Sequence, residues 1–125
     1  MREDTFAYFQ AFGTLLLTIY GQIIIKARIN LHGNLPIQFI EKVKFLIKLF
    51  LDPYILSGFL AAFLASILWM SAMTKLPLTK AYPIMSMAPV LVLIFGIFYL
   101  GETYTFGKIT GAMLIILGSY ISTKF

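Results

Sequence analysis

Thr18, Tyr20, Gln22 and Lys26 stand within or at the edge of the otherwise apolar run LLLTIYGQIIIKARIN, residues 15–30. They bring two hydroxyls, an amide and an ammonium. The first three can exchange hydrogen bonds with the polar groups of an uncharged partner, and the ammonium can meet an anion. No carboxylate accompanies them. A carrier that exchanges protons for hydrophobic cations needs an acid inside the bilayer, where ionisable groups mark ion and proton pathways. The set present here fits a neutral or anionic cargo. The competing structural reading makes Thr18 and Gln22 hydrogen-bonding glue between helices and Lys26 the anchor of a helix end.

The rest of the chain narrows the chemistry further. There is no Cys, which removes disulfides, thiol catalysis and Cys-ligated zinc. His32 stands alone between apolar segments, without a carboxylate cluster, and reads as a surface histidine of a loop rather than a metal ligand. The serines of the apolar runs have no His or Asp partner, and no glycine loop could cradle a phosphate chain. The sequence therefore predicts no enzyme, no cofactor and no metal site.

The elements that must position these residues are membrane helices. Of 125 residues 60% are hydrophobic and 12% charged, and the mean hydropathy is +0.91, well outside the range of a water-soluble domain of this size. A helix needs roughly 20 apolar residues to cross roughly 30 Å of hydrocarbon. Four runs qualify, at about 5–26, 54–74, 81–100 and 105–123. Inside them the only cations are Lys26 and Lys108, each near an end from which it can snorkel. The runs are too long and too continuously apolar for the alternating strands of a barrel. Glu3 and Asp4 spoil the basic start of a signal peptide, so the first run is expected to stay in the mature chain. The reading is an all-α membrane protein, a single domain over residues 1–125.

The one long connection, residues 27–53, opens with RINLHGNLP, read as a turn, and continues as a helix at about 37–51. There Ile37, Ile40, Val43, Ile47 and Phe50 fall near helical spacing, with Gln38, Glu41, Lys42, Lys44 and Lys48 largely elsewhere. This is the pattern of an interfacial amphipathic helix; the alternative is the start of a longer second span. The net charge of +5 flanks apolar segments and forms no basic face with interleaved aromatics. Its expected counter-charge is anionic lipid head groups, not nucleic acid. Lys26, Arg28, Lys42, Lys44, Lys48 and Lys108 fall on one side, against Arg2, Lys75, Lys80 and Lys124 on the other. The bias puts the long loop on the cytoplasmic side only weakly, and insertion in both orientations stays open.

In the third span Pro83 lies near the helix start, whereas Pro89 lies deeper and removes the usual partner of the Met85 carbonyl, so a bend is expected there. Ser86, close by, is placed to line a packed or wet interior face. In the fourth span Gly107, Gly111, Gly118 and Ser122 follow one another at steps of four and seven, leaving a groove on one helix face. Packing within one subunit and docking of a second are both open from spacing. Four short-linked helices scarcely enclose a polar cavity, which favours a dimer.

The stretch AYPIMSMAPVLVLIFGIFYLGETYTFGKITGAMLIILGSYI, with GQIIIK closing the first span, resembles the drug/metabolite transporter superfamily. That group includes the four-helix small multidrug resistance exporters and the EamA-type carriers. The nearest likeness is to small subunits proposed to flip aminoarabinose linked to undecaprenyl phosphate. The resemblance implies a multi-pass protein of the bacterial inner membrane that works by alternating access as a homodimer or with a similar small subunit. It implies that Tyr82, in AYPIM, faces the transport pathway, that Gly101 and Glu102 form the turn before the last helix, and that Gly111 to Gly118 is the dimerising stripe. Two positions depart from the multidrug pattern. Aligning Gly21 with the glycine of the exporters' first helix puts Thr18 where they carry a proton-exchanging glutamate, and Met85 where they keep a tryptophan. The expected pathway is Thr18, Tyr20, Gln22, Lys26, Tyr82, Met85 and Ser86, and the expected cargo a polyprenyl-phosphate-linked sugar. The rivals are a proton-coupled exporter of small cations that depends on Glu102, and a non-transporting subunit of a membrane complex.

Overall fold

The computed structural model describes residues 2–124, and their regular structure is helical throughout. Helix α1 spans Arg2–His32. At 1.5 Å per residue it is about 46 Å long, so its last turns stand clear of the roughly 30 Å hydrocarbon layer. The sequence reading ended this helix near residue 26 and put a turn at RINLHGNLP. The structure corrects this: nothing between Ala27 and His32 breaks a helix. The stop comes at Gly33, whose φ of +96° is left-handed.

Helix α2, Phe39–Phe50, is the short amphipathic element of the long connection. Leu49 tucks against the chain and the Phe50 ring meets that of Phe59, 5.3 Å between centroids, while Ile40, Val43 and Ile47 are exposed. A helix lying in the interface would rest those side chains in the acyl boundary and raise Lys42, Lys44 and Lys48 to the head groups. Helix α3, Pro53–Met73, starts with Pro53 in its first turn and Asp52 as N-cap, whose side chain accepts from the Tyr54 N–H at 2.8 Å.

Helices α1 and α3 run antiparallel as the spine of the molecule. Their seam is built from small side chains, Ala7, Ala11, Thr14 and Gly21 on α1 facing Gly58, Ala61, Ala65 and Ala72 on α3. Lipid tails are as apolar as Leu, so helices in a bilayer associate through close contact and interhelical hydrogen bonds rather than through burial from water. The closest approach is at Gly21 and Gly58, where a Cβ added to Gly21 would lie 2.9 Å from the Gly58 carbonyl oxygen. Polar groups clasp the same pair. Gln10 Nε2 donates to Ser71 Oγ at 2.7 Å, and Thr14 Oγ1 donates to the Ala65 carbonyl at 3.2 Å and to the Gln10 carbonyl at 2.9 Å.

The third span is two helices, α4 (Leu78–Met85) and α5 (Ala88–Tyr99), with Pro89 in the first turn of α5. The break falls at Ser86 and Met87, immediately before the proline whose missing N–H could not have continued the ladder. Ser86 Oγ donates to the Pro83 carbonyl at 2.7 Å and meets Ser119 Oγ at 2.6 Å. The second contact ties the break to helix α6, Phe106–Lys124. Helix α6 leans on α4 and α5 and buries none of its described residues. Four segments, 5–32, 53–73, 78–99 and 106–124, are long and apolar enough to cross a membrane. The chain is a multi-pass membrane protein.

Candidate functional site

Every fourth residue of α1 from Gln10 to Lys26 is polar: Gln10, Thr14, Thr18, Gln22, Lys26. Residues four apart on a helix stack over one another with a slow drift around the axis, so these five form a winding polar stripe. The drift shows in their surroundings. Gln10 and Thr14 point at α3 and are bonded to it. Thr18 opens into a groove, and Gln22 and Lys26 are exposed.

That groove, of about 300 Å³, lies between α1, α3 and α4. Thr14, Thr18, Ser66, Trp69, Tyr82 and Met85 line it, with Ala62 and Ala65 between them. Thr14 and Ser66 donate their hydroxyl protons to backbone carbonyls of the chain, so toward the groove they present acceptor lone pairs. The Trp69 and Tyr82 rings meet edge to face, 5.7 Å between centroids and 87° between planes. No lining residue carries a carboxylate, an imidazole or a cationic group. The acid nearest in sequence to this span, Glu102, is held elsewhere. Its N–H donates to the Gly96 carbonyl at 3.0 Å across Gly101, whose φ of +68° is left-handed, and its carboxylate lies over Gly96. A side chain at position 96 would stand 2.7 Å from Glu102 Oε1.

Of the residues singled out in the sequence, the structure brings Thr18, Tyr82 and Met85 into one groove. Tyr20 is not with them. It projects from another side of α1, hydrogen-bonds Ser57 Oγ at 2.9 Å, and borders an apolar groove of about 350 Å³ with Phe95 and Tyr99. Ser86 is turned to Ser119 at the helix break. Gly111 and Gly118 on α6 have open space where a side chain would grow, Gly107 meets only Thr105 Oγ1 at 3.8 Å, and Ser122 is exposed. Sequence reasoning missed Thr14, Ser66 and Trp69. The unbroken four-residue spacing of the α1 stripe was a signal for Thr14. Ser66 carried none, because its place depends on how α3 is rotated against α1.

A second polar cluster sits where α1 leaves the membrane. Asp52, with only 3% of its side chain exposed, receives Arg28 through Nε and Nη2 at 3.1 Å each and meets His32 Nε2 at 2.8 Å. The Arg28 guanidinium also lies 4.5 Å over the Tyr54 ring. This corrects the reading of His32 as a lone loop histidine: it is the last residue of α1 and is paired with an acid. The hydrogen bond from His32, then those from Arg28 and the Tyr54 N–H, lower the Asp52 pKa from 3.8 to about 2 against the opposing effect of burial. The stabilisation that Asp52 gives is therefore complete above pH 3.8 and lost as pH falls through about 2. Thermal melts in a non-ionic detergent should show an acid-labile component in that window. Asp52→Asn should remove it and lower the melting temperature at neutral pH; an unchanged acid profile would count against the cluster as the fastening of α1 to α3.

Comparison with known proteins gives the family of the chain. The EamA-like transporter family matches residues 5–124. The probable 4-amino-4-deoxy-L-arabinose-phosphoundecaprenol flippase subunit ArnF of Erwinia tasmaniensis is 38% identical over 63 residues, 49% of this chain and 50% of that protein. The chain thus spans about half the length of that curated relative. The probable subunit ArnE of the same type of flippase from Aeromonas salmonicida is 28% identical over 106 residues, 85% of this chain and 87% of that protein. No solved structure matches the chain.

Proposed function

The chain belongs to the EamA-like transporter family, and from that premise we propose that it flips a polyprenyl-phosphate-linked sugar across the bacterial inner membrane by alternating access as one half of a dimer, with no catalytic chemistry of its own. The observation that carries the reading is the acid-free groove joined to the α1 stripe. Lys26 stands at one interface, Gln22 one turn further in, and Thr18 in the groove. The groove lining runs from Thr18 toward Trp69 and Tyr82, near the ends of α3 and α4 that adjoin Lys75 and Lys80. A head group could thus exchange hydrogen bonds step by step across the bilayer while its prenyl chain stays in lipid, so no polar group need be desolvated unpaired. Two relatives carry the name of probable flippase subunits for an aminoarabinose on such a lipid, which supports the cargo class. The uncovered face of α6, with Gly107, Gly111, Gly118 and Ser122, is the surface assigned to a second copy or a similar small subunit.

The test is translocation of a fluorescent polyprenyl-phosphate pentose in reconstituted vesicles. The wild type should accelerate flipping over protein-free vesicles. Lys26→Ala should slow entry about tenfold, the loss expected when one charge-assisted contact of about 1.5 kcal/mol disappears. No acceleration by the wild type, alone or with a co-expressed small subunit, defeats the proposal.

A further inference from the structure

Trp69 is the one tryptophan of the chain. Tryptophan in a membrane helix usually serves as an anchor among the head groups, and Trp69 lies one turn from the end of α3. Its surroundings differ from those of an anchor. It is half-buried, packed with Met73 against the cluster of Ala7, Leu76 and Ala81, and set at a right angle to Tyr82. Together the two rings make an aromatic corner in the wall of the groove. Around that corner are Thr18, whose hydroxyl has no partner among the described residues, and the acceptor oxygens of Thr14 and Ser66.

A monosaccharide ring has the complementary make-up. One face is mostly C–H and the rim is hydroxyl, so it asks for a flat, electron-rich surface with hydrogen-bonding groups beside it. An indole face carries the negative part of the ring quadrupole and attracts C–H hydrogens or an ammonium group. A fatty chain needs none of the hydroxyls, and a bare phosphate asks for a counter-charge, whereas the groove lining holds no cation.

We infer that Trp69 is the sugar-reading residue of the groove: the C–H face of a single sugar ring stacks on its indole, with Tyr82 closing the corner and Thr18 and Ser66 meeting the rim hydroxyls. This deepens the proposed function and rests on it, but it assigns to the second span a role that nothing in the polar stripe of α1 could fill. Discrimination for the sugar then resides in Trp69, and attraction for the lipid phosphate in Lys26.

The single tryptophan makes the experiment direct, since all indole emission reports this position. The purified full chain is titrated with two probes of equal charge, farnesyl arabinosyl phosphate and farnesyl methyl phosphate, while binding is followed independently by calorimetry. The sugar-bearing probe should shift the emission saturably and the methyl diester should not. Trp69→Leu should weaken binding of the sugar-bearing probe about tenfold and leave the methyl diester within twofold, with Trp69→Phe between them. A tryptophan that only anchors α3 would change both probes alike. Equal binding of the sugar probe by Trp69→Leu, or identical emission shifts from both probes, overturns the assignment while leaving the proposed function standing. A wild-type chain that binds no sugar-bearing probe overturns the proposed function itself.

Discussion

Gly21→Leu is expected to eliminate the folded chain, and Gly21→Ala to lower its stability by about 1–3 kcal/mol, the usual cost of inserting atoms into a packed contact. The reason is what the new atom meets. A Cβ at Gly21 falls 2.9 Å from a carbonyl oxygen of Gly58, and backbone cannot turn aside. The two helices must part, and with them go the Thr14 and Gln10 clasps that depend on the same spacing. Gly58→Ala should be milder. Its Cβ meets Ile24 Cγ2 at 2.9 Å and Ile25 Cγ1 at 3.0 Å, side-chain ends that can rotate, although the Gly21 carbonyl at 3.3 Å leaves little slack. Gly111→Leu on α6 should leave the melting temperature of the single chain unchanged, since nothing lies within 4 Å of the added carbon. It should instead reduce cross-linking between copies in vesicles. Melting temperatures in detergent rank the four variants. A Gly111→Leu loss as large as that of Gly21→Ala would show that α6 packs inside the subunit, against its assignment as a docking face.

The contrast between those glycines also shows what the sequence could and could not disclose. The spans were legible because the bilayer demands a length of continuous apolarity, and each run meets it. The α4–α5 break was legible because Pro89 lacks an N–H wherever it lies. The α1–α3 seam was not, although Ala7, Ala11, Thr14, Gly21, Gly58, Ala61 and Ala65 repeat at three-, four- and seven-residue steps as plainly as the glycines of α6. Both stripes say that a helix can come close; neither says which helix does. That choice belongs to the fold, through groups distant in sequence such as Gln10 with Ser71 and Arg28 with Asp52. The same limit hid Trp69 and separated Tyr20 from Thr18. Two residues apart on a helix means about 200° around the axis, so a pathway containing both would have needed two openings. The end of α1 was misplaced for another reason. Charged residues at 26 and 28 signalled exit from the membrane, and exit was read as the end of the helix, whereas a helix continues into water until a residue such as Gly33 stops it.

Thr18→Glu should invert the selectivity of the groove. With no cation among the lining residues to neutralise it, an ionised carboxylate there faces a lipid phosphate one sugar ring away. Like charges about 7 Å apart repel by roughly 2 kcal/mol at an effective dielectric near 20, which is more than tenfold in occupancy. Translocation of a polyprenyl-phosphate sugar should accordingly fall by at least about tenfold at neutral pH, and should recover in part on acidification as the carboxyl takes up a proton. Thr18→Gln, nearly isosteric and uncharged, should keep most of the activity, which separates charge from bulk. The substituted groove should also gain affinity for a quaternary ammonium compound, because an acid beside Trp69 and Tyr82 supplies both the counter-charge and the aromatic faces such a cation prefers. If Thr18→Glu and Thr18→Gln flip the lipid-linked sugar as fast as the wild type, the head group does not pass Thr18, and the track along α1 must be abandoned in favour of another face. If the wild type itself binds the ammonium compound more tightly than the sugar lipid, the absence of an acid has been given the wrong meaning, since the aromatic corner alone would then be enough to hold a cation.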